Sequence, residues 1–269
     1  MSIASEITRI KNNIANAYTT CANKNATMPL SQNSANLADC IDSITGITRG
    51  VSSNGGFGYP PHDFKFVLPR NATSIDEGML KSAFEGCPTL IEVDMSSIIE
   101  IRGSSTLEYF CKGCSGLTKV NLSSLQTISG TATTHAFMDC PNISEIDLSS
   151  LKTLASGVSL NGTFSLSNNP TSPLPLTSVT FTSLATVNGT APMRNIFAKR
   201  DGLTVNFPAF NSNTFGVMTT YLDNIVSGAV GCTVHFPSNM QSIIGNWSSV
   251  QNGFGGTNTT VLFDLPATS

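Results

Sequence analysis

Val93-Asp94-Met95-Ser96, Val120-Asn121-Leu122-Ser123 and Ile146-Asp147-Leu148-Ser149 are three copies of one phrase: an aliphatic residue or Phe, a variable residue, Leu/Met/Phe, then Ser, Thr, Pro or Asp. It begins as Phe66-Val67-Leu68-Pro69. It returns as Val179-Thr180-Phe181-Thr182, Val205-Asn206-Phe207-Pro208, Val234-His235-Phe236-Pro237 and Val261-Leu262-Phe263-Asp264. The second residues fall at 67, 94, 121, 147, 180, 206, 235 and 262, in steps of 27, 27, 26, 33, 26, 29 and 27. Recurrence at that period is the mark of a stacked repeat.

Each phrase alternates apolar, polar, apolar, which is a short strand with one buried face. A further apolar anchor follows: Ile101, Ile128, Leu154 or Val187. The unit closes on a stretch expected to be short helix or irregular, carrying Ala83-Phe84, Phe110-Cys111, Ala136-Phe137 or Ile196-Phe197. Three units then continue as Cys87-Pro88-Thr89-Leu90, Cys114-Ser115-Gly116-Leu117 and Cys140-Pro141-Asn142-Ile143. One unit cannot cover its own apolar side, so units must stack, which places the eight strands in one parallel sheet. The 33-residue step holds Ser167-Asn168-Asn169-Pro170-Thr171-Ser172-Pro173, a looped insertion.

These units resemble the BspA-like leucine-rich repeats of bacterial and phage surface proteins over about residues 63 to 264. The resemblance implies an α/β repeat, a leucine-rich-repeat solenoid, over 63–269. It loosens toward the C-terminus, where Arg200 stands in the Cys position.

Charged residues are 12% of the chain, against roughly 25% in average proteins. The net charge is −3, so no basic field exists for nucleic acid or an anionic membrane. No apolar run is long enough to insert in a membrane. Met1 to Ala15 carries Glu6, Arg9 and Lys11 and no apolar run, so no signal peptide is expected there. Cys87, Cys114 and Cys140 share one repeat position and read as buried apolar side chains; Cys111 with Cys114 reads as core rather than a redox or zinc pair.

Residues 1–45 are expected to form short helices. Ile3, Ile7, Ile10 and Ile14, continued by Ala17 and Cys21, form a heptad seam. Isoleucine at both core positions favours three or four strands over two, and a homotrimeric coiled coil is expected; an amphipathic helix packed on its own chain is the other reading. A second helix is expected from Ser34, and residues 46–62 read as a Gly/Ser/Pro linker. Ile10-Lys11-Asn12-Asn13-Ile14-Ala15-Asn16-Ala17-Tyr18 and Gln32-Asn33-Ser34-Ala35-Asn36-Leu37-Ala38 are similar to the N-terminal module of tail-associated proteins of phages and prophages of Gram-positive gut bacteria. That resemblance implies virion tail proteins as partners and the virion as location.

Catalytic motifs are absent: His62, His135 and His235 share no local motif with a nucleophile or carboxylate, and no metal or cofactor motif is present. The expectation is a non-enzymatic binding protein without cofactor or metal. Candidate ligand residues lie on the outward strand positions. One ladder runs through Asp94, Asn121, Asp147, Thr180, Asn206 and His235, and its acidic end is a candidate sugar or cation array. Two residues earlier run Glu92, Lys119, Glu145 and Ser178, alternating in sign. Tyr221, Trp247 and Phe254 lie among small polar residues and read either as a sugar-binding surface or as the solenoid's hydrophobic cap. The expected ligand is a bacterial surface glycan or protein. The rival readings are a surface or secreted adhesin for host protein or glycan, and a structural tail component without ligand.

Overall fold

In the computed structural model the described residues are 63–268, except 69, 172, 189–191, 212–221 and 243–252. The expected N-terminal helices, the linker and the seam of Ile3, Ile7, Ile10 and Ile14 lie outside them, as do Tyr221 and Trp247. The chain divides between His62 and Asp63, and the described residues all belong to the second unit.

Among the described residues thirteen short strands wind as a parallel β-solenoid of about seven turns with almost no helix. The repeated phrases form β1 (Phe64–Val67), β3 (Leu90–Asp94), β5 (Lys119–Asn121), β7 (Glu145–Asp147), β9 (Ser178–Thr180), β11 (Thr204–Asn206), β12 (Thr233–Pro237) and β13 (Thr260–Leu265). Their registers are those of the repeat: Asp94 opposes Asn121, Asn121 opposes Asp147, Thr180 opposes Asn206 and Asn206 opposes His235. The expected single sheet is in fact two, β1-β3-β5-β7 and β9-β11-β12-β13, all pairings parallel. The interruption falls at the 33-residue step, between Asp147 and Thr180.

The anchors form a second parallel sheet that the repeat phrase did not announce. β2 (Ser74–Ile75), β4 (Glu100–Ile101), β6 (Thr127–Ile128), β8 (Thr153–Leu154) and β10 (Thr186–Val187) pair in sequence, each burying its second residue. This sheet runs unbroken past the insertion, because Thr153 opposes Thr186 and Leu154 opposes Val187.

Of the two forms expected for the closing stretches, helix or irregular, the structure shows the second, as stacked turns. Alternate N–H groups point to the next coil: Leu80 donates to Thr106, Ser82 to Glu108, Phe84 to Phe110 and Gly86 to Lys112. The N–H groups between them close tight turns, as in Ala83 to Leu80 and Cys87 to Phe84. Such alternation needs a left-handed residue every fourth position, met by Gly78, Ser82 and Gly86, then by Ser105, Tyr109 and Gly113. An α-helix spends all its interior N–H groups on its own carbonyls and offers none to a neighbouring coil. Stacked turns leave half of them free for that use, and so make a third hydrogen-bonded side.

Inside, phenylalanines form a continuous column. Phe84, Phe110, Phe137, Phe164 and Phe197 follow one another on the turn side at centroid separations of 5.5, 6.0, 5.2 and 6.0 Å. The column then crosses to the strand side through Phe181, Phe207, Phe236 and Phe263. Strand positions hold Met95, Leu122 and Leu148 where the turn side carries the ring. Exchange of large and small residues between facing positions keeps each layer filled.

The Cys column shows how the coils tolerate the insertion. Cys114 Sγ donates to Phe84 O and Cys140 Sγ to Cys111 O, both at 3.0 Å. In the next coil Ser167 occupies the position but turns outward, its N–H and hydroxyl both donating to the Asp139 carboxylate at 2.6 Å. Arg200, one coil further, fills the interior instead. Its side chain is fully buried; Nε donates to Phe164 O and Nη2 reaches Cys140 O, two coils away, at 2.9 Å. One long donor thus spans the level that the insertion leaves without a thiol.

Candidate functional site

The strand face divides chemically where the sheet divides. On β1 to β7 one outward row, Lys65, Glu92, Lys119 and Glu145, is charged and paired across coils. Lys65 meets Glu92, and Lys119 meets Glu145 at 2.7 Å. The pairing lifts the Lys119 pKa above the usual lysine range, chiefly through the hydrogen bond to Glu145. Further pairs clasp the turn side, Lys81 with Glu108 at 2.7 Å and Lys112 with Glu85 at 3.4 Å.

Asp94, Asn121 and Asp147 do sit in register, yet each is committed to local structure. Asp94 Oδ1 accepts the N–H of Ser96, Asn121 Oδ1 that of Ser123, and Asp147 Oδ1 that of Ser149, at 3.0, 3.1 and 3.0 Å. This is the turn-forming bond that short polar side chains make with the backbone two residues on. One oxygen of each of these candidate ligand residues therefore shapes a strand exit. Among the described residues no group of three His, Cys, Asp or Glu side chains converges to hold a metal ion.

On β9 to β13 the same face is almost uncharged. Ser178, Thr204, Thr233 and Thr260 align in one row, and Thr180, Asn206, His235 and Leu262 in the other. Asn206 Nδ2 donates to Thr180 Oγ1 at 3.1 Å. His235 Nδ1 lies 2.7 Å from Asp264 Oδ1, a partner that sequence reading missed because it belongs to the next coil, 29 residues on.

A groove of about 520 Å³ opens at the head of β9 and β11. Its walls are Pro170 and Pro173 from the insertion with Leu174 and Leu176 just after it, and its polar rim is Thr171, Thr177 and Asp201, with Gly202 beside it. Thr177 runs directly into Ser178, and Gly202 lies two residues before Thr204, so groove and hydroxyl row are continuous along the chain. The insertion was legible in the sequence; its role as a groove wall was not, because Asp201 comes from a different coil.

A comparison with family models, curated proteins and solved structures finds no match to this chain. The site therefore rests on its own chemistry.

Away from the strand face, Phe254 is buried against Phe236, as a cap residue is and a surface aromatic is not. Cys87, Cys111, Cys114, Cys140 and Cys232 are free and buried. Burial pushes the Cys111 and Cys232 thiols up. His135 stacks on Tyr109 at 5.5 Å and lies over Gly162, with its Nδ1 buried and unpaired. Burial, with Lys112 nearby, lowers its pKa.

Proposed function

We propose that this chain is a non-enzymatic recognition protein, a tail-associated receptor-binding or adhesion protein of a phage or prophage, which holds a bacterial surface glycan on the uncharged half of its strand face. The observation that carries the reading is the hydroxyl and amide array over β9 to β13 with the groove at its head. Parallel strands stack about 4.8 Å apart, so the array offers hydrogen-bonding groups at a fixed pitch on a rigid support. Uncharged donors and acceptors suit hydroxyl-rich ligands, whereas the β1 to β7 half is occupied with its own ion pairs. In this reading the seam of Ile3, Ile7, Ile10 and Ile14 assembles three copies. Three weak sites then act together, and apparent affinity rises by orders of magnitude without new contacts.

The test is binding of the purified full chain to Gram-positive cell-envelope polysaccharide by calorimetry and cell pull-down. Thr204→Lys, which places a charged chain in the hydroxyl row, is expected to weaken binding at least about tenfold, or ~1.4 kcal/mol. Lys119→Thr on the ion-paired half is expected to leave it unchanged. Equal effects of the two substitutions count against the assignment of the face.

A further inference from the structure

We infer that the groove between the insertion and the Asp201-Gly202 turn receives a protonated amino group carried on the glycan, with Asp201 as its counter-ion. This deepens the preceding reading and rests on it.

Three carboxylates follow Asp147 in the chain: Asp201, Asp223 and Asp264. Asp223 faces Arg194 at 3.4 Å and Asp264 faces His235 at 2.7 Å. Asp201 has no cationic partner among the described residues, although two basic residues directly precede it. Both are turned to other tasks. Lys199 Nζ donates to the Ser167 carbonyl. The Arg200 guanidinium points into the core, against the carbonyls of Phe164 and Cys140.

The Asp201 carboxylate is held in place, since Oδ1 accepts the Val230 N–H at 2.9 Å. It is half-buried on the rim of a groove whose walls are Pro170, Pro173, Leu174 and Leu176. Low-dielectric walls weaken solvent screening, so a fixed carboxylate there attracts a complementary charge more strongly than one in open water. The volume of about 520 Å³ falls among small-molecule sites, which span about 300–1,000 Å³.

Charge alone would admit a basic peptide as well. The sugar is favoured by what adjoins the groove: Thr177 continues into Ser178, the head of the hydroxyl row, and Asp201 leads to Thr204, its second member. An amino sugar brings an ammonium for Asp201, hydroxyls for that row and an apolar C–H face for the prolines and leucines.

The test uses the full chain and two oligosaccharides of equal length, tetraglucosamine and its fully N-acetylated counterpart, titrated by calorimetry near pH 6. Tetraglucosamine is expected to bind about tenfold tighter, the size of one charge-assisted hydrogen bond in a partly shielded site. The preference is expected to vanish in Asp201→Asn, which keeps the acceptor for Val230, and to shrink as salt rises. Equal affinity for the two oligomers overturns the ammonium site and leaves the glycan face standing. Binding of neither also overturns it, and the polysaccharide assay above then judges the face separately. Tetralysine binding as tightly as tetraglucosamine, with the same dependence on Asp201, overturns the assignment to a sugar.

Discussion

Arg200 carries its charge into a core that offers it carbonyl groups and, among the described residues, no ion-paired carboxylate. Desolvation pulls its pKa down to about 10, so the guanidinium stays charged at neutral pH while burial opposes that charge. Two carbonyl acceptors and the filled volume offset part of the penalty, while Nη1 is buried without a partner among the described residues. Truncation in Arg200→Ala strands both carbonyls and opens a cavity, and is expected to cost about 3 kcal/mol in urea unfolding. Gly130 is constrained differently: its φ is +70°, and an added Cβ would lie 2.3 Å from the Gly103 carbonyl oxygen. Gly130→Ala should cost about 2–4 kcal/mol, since both the conformation and the space exclude a side chain. His135 adds a pH dependence. Its pKa in the fold is depressed below the ordinary 6.5, so on acidification the unfolded chain takes the proton first. Stability should therefore fall as pH drops below about 6.5. His135→Asn, which suits the left-handed φ of 55°, should lose less between pH 7 and pH 5 in the same unfolding measurement. At this scale the sequence was partly readable. The Cys column was visible and Arg200 stood out as a departure from it, but its partners, the carbonyls of Phe164 and Cys140, were not legible because they lie in other coils.

The strand phrases were legible as elements because a four-residue unit that alternates apolar with polar and recurs at a near-constant period fits a stacked strand and little else. Two kinds of element were not. Strands of two residues, such as Thr127–Ile128, are too short to show a period, and only their stacking makes them a sheet. The turn side mimics helical spacing in its apolar residues. Its left-handed positions, however, fall on glycine in some coils and on Ser82, Tyr109 or His135 in others, which hides the pattern. The Asp/Asn ladder was placed correctly, and its turn-forming role at Asp94, Asn121 and Asp147 was not legible, since a turn-forming Asp has the same sequence signature as a ligand-holding one. Asn121→Asp separates the roles. The new carboxylate can still accept from Ser123, but it lies between Asp94 and Asp147, so like charges adjoin on both sides. A modest loss, about 0.5–1 kcal/mol, is expected at low salt and should be relieved as salt is raised.

Across the whole described unit, the insertion cuts one of three hydrogen-bonded sides and leaves the other two intact. The short-strand sheet passes it through Thr153 and Thr186, the turns through Leu160 and Pro192, and the aromatic column through Phe164 and Phe197. The break therefore opens a groove without dividing the core. The same division separates a charge-clasped half from an uncharged half on the strand face, which is the basis for assigning recognition to the second. Charge composition hinted at this in the sequence, because Asp and Glu nearly vanish after Asp147. Which uncharged residues share a surface became visible only with the coil register. For the proposed trimer, solution mass with and without residues 1–45 should fall from three chains to one; monomers in both forms would rule out assembly through the isoleucine seam. A recognition face of this kind requires coils that stack in sequence order, and spin-label distances test that order most directly. Labels at Val67 paired in turn with Thr180, Asn206 and Leu262, on a chain whose described thiols are buried, should lie roughly 20, 24 and 34 Å apart at the coil spacing of about 4.8 Å. A distance that rises with each coil is the predicted result. Distances that stay level or fall from Thr180 to Leu262 would contradict the stack, and with it the recognition face.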